Sequence, residues 1–267
     1  MKRIFVLLLA AALLLSLTAC AGGGKSSLQE RLEQERNNRS SSVSGAPSSE
    51  PEPSSEPEPS SETEPPVSRE DVVTDAIAGE KETQFGSLSY HVPQVNLPGA
   101  EAVNAEIQED FGQLATKGLE STNEYLPPCY RIDWTLHWYG DTFALVICKH
   151  LDGDYNCYTV YSFDYPNGQP LEFEELLSRA GLDANGYFAQ VTLRAEQIYR
   201  EAWGSAEEVD PNSFAQQLNW TISDENIRSA AHRNIYFDED GRLMVIMAIG
   251  ALAGSGSYET TFPLYEN

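Results

Sequence analysis

The chain has 267 residues, of which 41 are Asp or Glu and 17 are Lys or Arg, so its formal net charge at pH 7 is −24. Proteins that bind nucleic acid need clustered cations to contact phosphates, and this charge therefore argues against a nucleic-acid partner. It suits either a cationic partner or simple solubility outside the cell.

The first predicted element is a signal peptide at residues 1–19. Two basic residues precede an apolar run from Ile4 to Leu15, which is too short for a permanent membrane-spanning helix. The run leads into LTAC, ending at Cys20, and this resembles the bacterial lipobox, where signal peptidase cuts before a cysteine that becomes diacylated. An ordinary secretory signal with a chance cysteine is the alternative. With two acyl chains such as palmitate on Cys20, the protein would stay durably on the extracytoplasmic face of the cell membrane.

Residues 20–79 are predicted to form the lipid anchor and a disordered stalk rich in Pro, Ser and Glu. The unit PSSEPE repeats within this segment, and proline with like-charged glutamates favours an extended polyproline II chain. The stretch from Pro47 to Pro66 would span roughly 60 Å at about 3.1 Å per residue. A stalk of this length would hold a head domain clear of the membrane.

Residues 80–267 are predicted to form one globular head domain, because aromatic residues appear and prolines become fewer from this point. The head has ten Lys or Arg and 29 Asp or Glu, and the difference between these two numbers is a net charge of −19. The residue pattern predicts an α+β fold in which antiparallel meander sheets pack with helices, in two halves of similar size.

In the first half, residues 85–92 alternate as a strand, and a helix follows Pro98. The apolar residues of this helix fall on one face: Val103, Ile107, Phe111 and Leu114. The segment YRIDWTLHW then predicts a strand whose large apolar side chains share a face: Tyr130, Ile132, Trp134, Leu136 and Trp138. Gly140 and Asp141 turn the chain into a second strand, TFALVICKH, which begins the meander.

The second half begins with a turn at residues 166–169 and continues with a helix from about Ala184. The apolar face of that helix consists of Tyr187, Val191, Ala195 and Ile198. Short helices are predicted around residues 214–218 and at 224–231. Asp240-Gly241 between two apolar runs predicts a hairpin, and a last strand closes the chain.

This order of elements carries a resemblance to a known family. The segments SFDYPNGQPLEFEELL and NIYFDEDGRLMVIMAIGALAGSGSYETTFPL resemble parts of the extracytoplasmic domain shared by the lysozyme-sensing anti-sigma factor RsiV and the peptidoglycan deacetylase PdaC. The resemblance extends from about Phe85 to Leu264 and implies a role at the cell envelope. The chain departs from the family at LDGDYN, where a glycine-rich turn with a histidine is common. We recognise neither an anti-sigma segment nor a deacetylase domain, so those two activities are not expected.

The segment CKHLDGDYNC, from Cys148 to Cys157, is predicted to be a hairpin closed by a disulfide. If Asp152 and Gly153 form a two-residue loop, the two cysteines face each other at a distance that a disulfide can bridge. Secretion to an oxidising compartment supports the bond. Cys129 is then either the remaining thiol or a competing partner.

Other interpretations of this segment lack part of their signature. Asp152, Asp154 and Asn156 are spaced like the start of a calcium loop, but the glycine and the glutamate of that loop are missing. Cys148 and His150 share a strand face, yet no second Cys/His pair follows at zinc-finger spacing. A nucleophilic Cys148 would have only His150 as a local base. We therefore predict no metal, no cofactor and no catalytic residue.

The leading functional hypothesis is a lipid-anchored binding or sensing module at the cell envelope. Its expected ligand is a cationic protein such as lysozyme, or a cell-wall component such as peptidoglycan. The candidate binding residues are Trp138, Tyr139, Asp152 and Asp154. The alternatives are an accessory protein or enzyme of peptidoglycan modification with an unrecognised site, and a purely structural spacer.

Overall fold

The computed structural model describes residues 67–123, 125–153, 155–231, 234–252 and 256–266. The predicted signal peptide, Cys20 and the stalk up to residue 66 lie outside the described residues. No helix in the described part of the chain is both long enough and apolar enough to span a bilayer.

The described residues form two sheets, and the prediction of an α+β fold is confirmed. The strands are β1 (Val73–Thr83), β2 (Gly86–Val95), β3 (Cys129–Tyr139), β4 (Thr142–Leu151), β5 (Tyr155–Asp164), β6 (Ile235–Phe237), β7 (Leu243–Gly250) and β8 (Ser257–Pro263). The first sheet has the order β1-β2-β3-β4-β5 and the second has the order β6-β7-β8. The sheet therefore starts at Val73, before residue 80, where the sequence placed the beginning of the head.

Helices cover the outer faces of both sheets. They are α1 (Glu101–Ile107), α2 (Gln113–Glu120), α3 (Phe173–Arg179), α4 (Ala184–Trp203), α5 (Pro211–Thr221) and α6 (Asp224–Ala231). A π-helical turn at Gln108–Gly112 joins α1 to α2 within the predicted first helix. Val103, Ile107 and Phe111 are buried as predicted.

The first sheet is mixed. Strands β3, β4 and β5 form the predicted antiparallel meander. Strand β2 pairs with β3 in parallel, through Ser89 with Arg131 and Tyr90 with Ile132. The chain must cross over between these two strands, and α1 and α2 supply that connection.

The apolar residues divide into two main cores and a small layer between the sheets. The first core lies between the first sheet and α1 with α2. The second lies between α3 to α6 and the second sheet. The layer between the sheets consists of Ala144, Val146, Val160, Tyr236 and Ile246. The two faces of β3 and β4 thus meet different surroundings, and the second sheet partly covers the face that carries Cys148.

Two helices of the second half begin at a capping aspartate. The Asp183 carboxylate accepts a hydrogen bond from the Gly186 N–H at 2.7 Å and caps α4. Asp210 caps α5 in the same way, with Pro211 at the first helical position. The predicted apolar face of α4 is confirmed, since Tyr187, Val191 and Ala195 are buried and Ile198 packs against the same core.

The register of the β4–β5 hairpin differs from the predicted one by one residue. Observed partners run from Thr142 with Asp164 to Leu151 with Tyr155, which leaves a three-residue loop rather than two. This register stacks Phe143 on Phe163 in the first core, with ring centroids 5.0 Å apart. A shift of one residue would move Phe163 to the opposite face, so core packing decides the register.

The shift separates the two cysteines of this hairpin. Cys148 lies opposite Tyr158, whereas Cys157 lies opposite Lys149. Because neighbouring residues of a strand point to opposite faces, the Cys148 and Cys157 side chains lie on opposite sides of the sheet. The predicted face-to-face pairing of these cysteines is wrong, and the disulfide inferred from it does not fit this register.

Candidate functional site

A groove of about 360 Å³ lies where the β3–β4 turn approaches the β6–β7 turn. It is lined by Tyr139, Arg179, Ala180, Phe237, Asp240, Gly241, Arg242, Leu243 and Tyr265. We call it the Tyr139 groove. Among its aromatic residues, Tyr139 is 47% exposed and Tyr265 is 49% exposed. Exposed aromatic rings beside a concave surface are common at protein interfaces.

The position of the Tyr139 ring depends on close packing with the second sheet. Its centroid lies 5.5 Å from that of Phe237. The other contact is with Gly241, which has φ +77°, and a Cβ atom at this glycine would collide with the tyrosine ring. Gly241 therefore serves both the turn and the placement of Tyr139.

Two arginines and one carboxylate, Asp240, line the Tyr139 groove, and three further carboxylates adjoin it by contacting these arginines. Arg179 contacts Asp141 at 3.5 Å and Glu175 at 3.1 Å. Arg242 contacts two further carboxylates, at Asp238 and Asp240. Each arginine is thus paired with two acidic side chains, so the groove and its adjoining carboxylates together have a surplus of negative charge.

Asp238 organises the β6–β7 turn from a buried position. Its side chain accepts hydrogen bonds from the backbone N–H groups of Asp240 and Arg242 and from the Arg242 guanidinium. Burial alone would raise the pKa of Asp238, but the hydrogen bonds and the charge of Arg242 outweigh it and hold the pKa below its ordinary value. The carboxylate therefore remains charged and holds the turn beside the groove.

Trp138, a predicted binding residue, has an intramolecular role. The Arg69 guanidinium lies 4.6 Å above its ring, and the ring also packs against Phe143 and Tyr165. The ring is half-buried in these contacts, so Tyr139 is the better candidate for contact with a ligand.

Asp152, the predicted acidic residue that the structure describes, lies far from Tyr139. Tyr139 ends β3 beside the β3–β4 turn, while Asp152 follows β4 at the opposite end of that strand. A ten-residue strand is about 33 Å long. Asp152 is exposed, and Asp154 lies outside the described residues. Asp152 and Tyr139 therefore do not share one site.

A second cluster lies on the face of the first sheet that looks toward the second sheet. Asp133 on β3 is the direct partner of Cys148 on β4. The His150 Nε2 atom lies 3.1 Å from Asp133 Oδ2. One coordinating atom from each of these three residues lies within 4.8 Å of the other two. This Cys148 cluster is the group of described residues whose ligand types and spacing fit a metal ion.

The surroundings of Cys148 argue against a nucleophile. Burial, and then the negative charge of Asp133, raise the pKa of this thiol to about 12, although the Tyr158 hydroxyl bonds to the sulfur and acts in the opposite direction. Only 6% of the residue is exposed. A reactive cysteine needs a populated, accessible thiolate, and this one has neither property.

Sequence analysis missed Asp133 as a member of the cluster, although the signal was present. Gly140 and Asp141 form a two-residue loop between β3 and β4, with Tyr139 opposite Thr142. Counting outward from that pair places Asp133 opposite Cys148. Zinc-finger spacing joins ligands that are near each other along the chain, whereas this cluster joins residues on two paired strands.

No protein-family model matches this chain, and the search of curated proteins finds no match.

Proposed function

We propose that this protein is a lipid-anchored module at the cell envelope that binds a cationic protein through the Tyr139 groove. The observation that carries the proposal is a groove with exposed aromatic rings whose two arginines are outnumbered by the carboxylates that contact them, on a head whose acidic and basic residues give a net charge of −19. Complementary charge speeds association and selects partners, and buried aromatic rings supply most of the binding energy at many interfaces.

The N-terminal sequence supports the location. The apolar run ending in LTAC and the Pro/Ser/Glu repeats fit a diacylated Cys20 followed by an extended stalk. Such an arrangement would present the head to soluble proteins outside the cell. The resemblance to the RsiV and PdaC extracytoplasmic domain makes lysozyme the first cationic protein to test.

Binding rather than catalysis is the proposed activity. The nucleophile that sequence analysis considered, Cys148, is buried, and its thiol pKa lies far above physiological pH. The Tyr139 groove supports docking instead, since it is a concave surface with two exposed tyrosine rings.

The test is lysozyme binding to the full chain in detergent, at low and moderate salt. We expect salt to weaken binding, because exposed charges are screened within about 10 Å at 0.1 M salt. Tyr139→Ala should weaken it by about tenfold or more, as for a central aromatic contact. The double variant Asp141→Asn/Asp240→Asn should slow association.

The matched control is Glu208→Gln/Asp224→Asn, which changes the net charge by the same amount at residues that neither line the groove nor contact its arginines. If the two double variants weaken lysozyme binding equally, the interaction follows total charge and the groove is not the site. Binding to purified peptidoglycan but not to lysozyme would overturn the proposed ligand.

A further inference from the structure

We propose that Asp133, Cys148 and His150 form a zinc-binding site with a fourth coordination position open to solvent. The site lies on β3 and β4 and is separate from the residues that line the Tyr139 groove. It does not depend on the function proposed for that groove.

The ligand types favour zinc. A thiolate, an imidazole and a carboxylate are the three donors that Zn²⁺ accepts most readily, whereas calcium and magnesium prefer oxygen donors alone. Strand pairing brings the donors together, since Asp133 faces Cys148 directly and His150 lies two residues further along β4 on the same face. Ligands held on adjacent strands are well positioned before the metal binds.

The distances require only small side-chain movements. The His150 nitrogen and the Asp133 oxygen are already 3.1 Å apart, and all three donor atoms lie within 4.8 Å of one another. Metal–ligand bonds of about 2.0 to 2.3 Å place donors roughly 3 to 4 Å apart around a tetrahedral ion. Rotation of the Cys148 or Asp133 side chain would close the remaining gap.

Neighbouring side chains hold two of the ligands. Arg131 Nη2 lies 2.5 Å from Asp133 Oδ2 and holds this carboxylate in position. The Tyr158 hydroxyl bonds to the Cys148 sulfur. Hydrogen bonds of this kind orient metal ligands and tune their strength.

Partial exposure leaves room for a further ligand. The side chain of His150 is 21% exposed and that of Asp133 is 31% exposed, while Cys148 is buried. Three protein ligands with solvent access are typical of zinc sites that keep a water in the fourth position.

The test is titration of the reduced full chain in detergent with Co²⁺, followed by displacement with Zn²⁺. We expect one ion per chain and the absorption band of a thiolate bound to cobalt. Cys148→Ser should abolish that band. Asp133→Asn and His150→Gln each change a proposed metal ligand. Each should weaken Co²⁺ affinity at least as much as removal of a residue that hydrogen-bonds to a ligand, which costs about 10 to 100-fold.

Cys157→Ser is the matched control, because that thiol lies on the opposite face of the sheet. The band and the affinity should be unchanged in this variant. Absence of the band in the wild-type chain, or its persistence in Cys148→Ser, would overturn the proposal.

A second measurement avoids variants that fail to fold. In the wild-type chain, Zn²⁺ should slow alkylation of Cys148 and leave the rate at Cys157 unchanged, as peptide mass spectrometry would show. Equal protection of both thiols, or of neither, would contradict a site at Cys148.

Discussion

The Tyr139 ring occupies the space that a Cβ atom on Gly241 would need. This contact joins the β3–β4 turn of the first sheet to the β6–β7 turn of the second and shapes the Tyr139 groove. Gly241 therefore both allows the β6–β7 turn and leaves room for the Tyr139 ring at the candidate docking surface.

Gly241→Ala should destabilise the protein by about 1 to 3 kcal/mol, because the new side chain meets both a positive φ and the tyrosine ring. The free energy of unfolding in denaturant measures the effect. Gly204→Ala is the control, since Gly204 has helical backbone angles and open space around it. Its unfolding free energy should stay within about 1 kcal/mol of wild type, and a comparable loss in both variants would contradict the predicted collision.

Asp238 should contribute stability at neutral pH that disappears in acid. Its folded-state pKa is lowered, so the contribution is present above the pKa of an unfolded aspartate, about 3.9, and is lost as the pH falls through the folded value. Asp238→Asn should unfold at lower denaturant concentration at pH 7, and the difference from wild type should shrink toward pH 3. Asp240→Asn, at a position 73% exposed, should change little at either pH.

Glu259 should show the opposite pH dependence. Burial raises its pKa, even though the carboxylate accepts a 2.7 Å hydrogen bond from the Tyr158 N–H. A raised folded-state pKa gives a contribution that is present below the unfolded value of about 4.3 and is lost as the pH rises through the folded value. Glu259→Gln keeps an oxygen acceptor and should be more stable than wild type at pH 7. Denaturant curves at pH 4 should show a smaller difference in unfolding free energy between Glu259→Gln and wild type. A difference that grows in acid would refute the raised pKa of Glu259.

Cys148 and Cys157 should be recovered as separate thiols from unreduced protein, because they lie on opposite faces of the sheet. The measurement is alkylation after rapid denaturation, followed by peptide mapping. A peptide pair cross-linked through these two cysteines would mean that the hairpin has the two-residue loop inferred from the sequence. The proposed zinc site would then lose its thiolate.

The sequence determined the elements whose pattern is local. The apolar face of α4, the alternation of β3 and the Asp240-Gly241 turn all follow from side-chain spacing and turn chemistry within a few residues. The α+β class follows from the order of these elements, and the charge of the head follows from its composition.

Only the tertiary structure decided which residues meet. Strand β4 is apolar on both faces, so its pattern does not fix its register with β5, and the stacking of Phe143 on Phe163 does. The predicted head began at residue 80, after the start of β1 at Val73. The exposed polar residues of this strand give little apolar signal in the sequence. The Cys148 cluster and the Tyr139 groove depend on pairing between strands and on packing between sheets, and such contacts join residues that are distant along the chain.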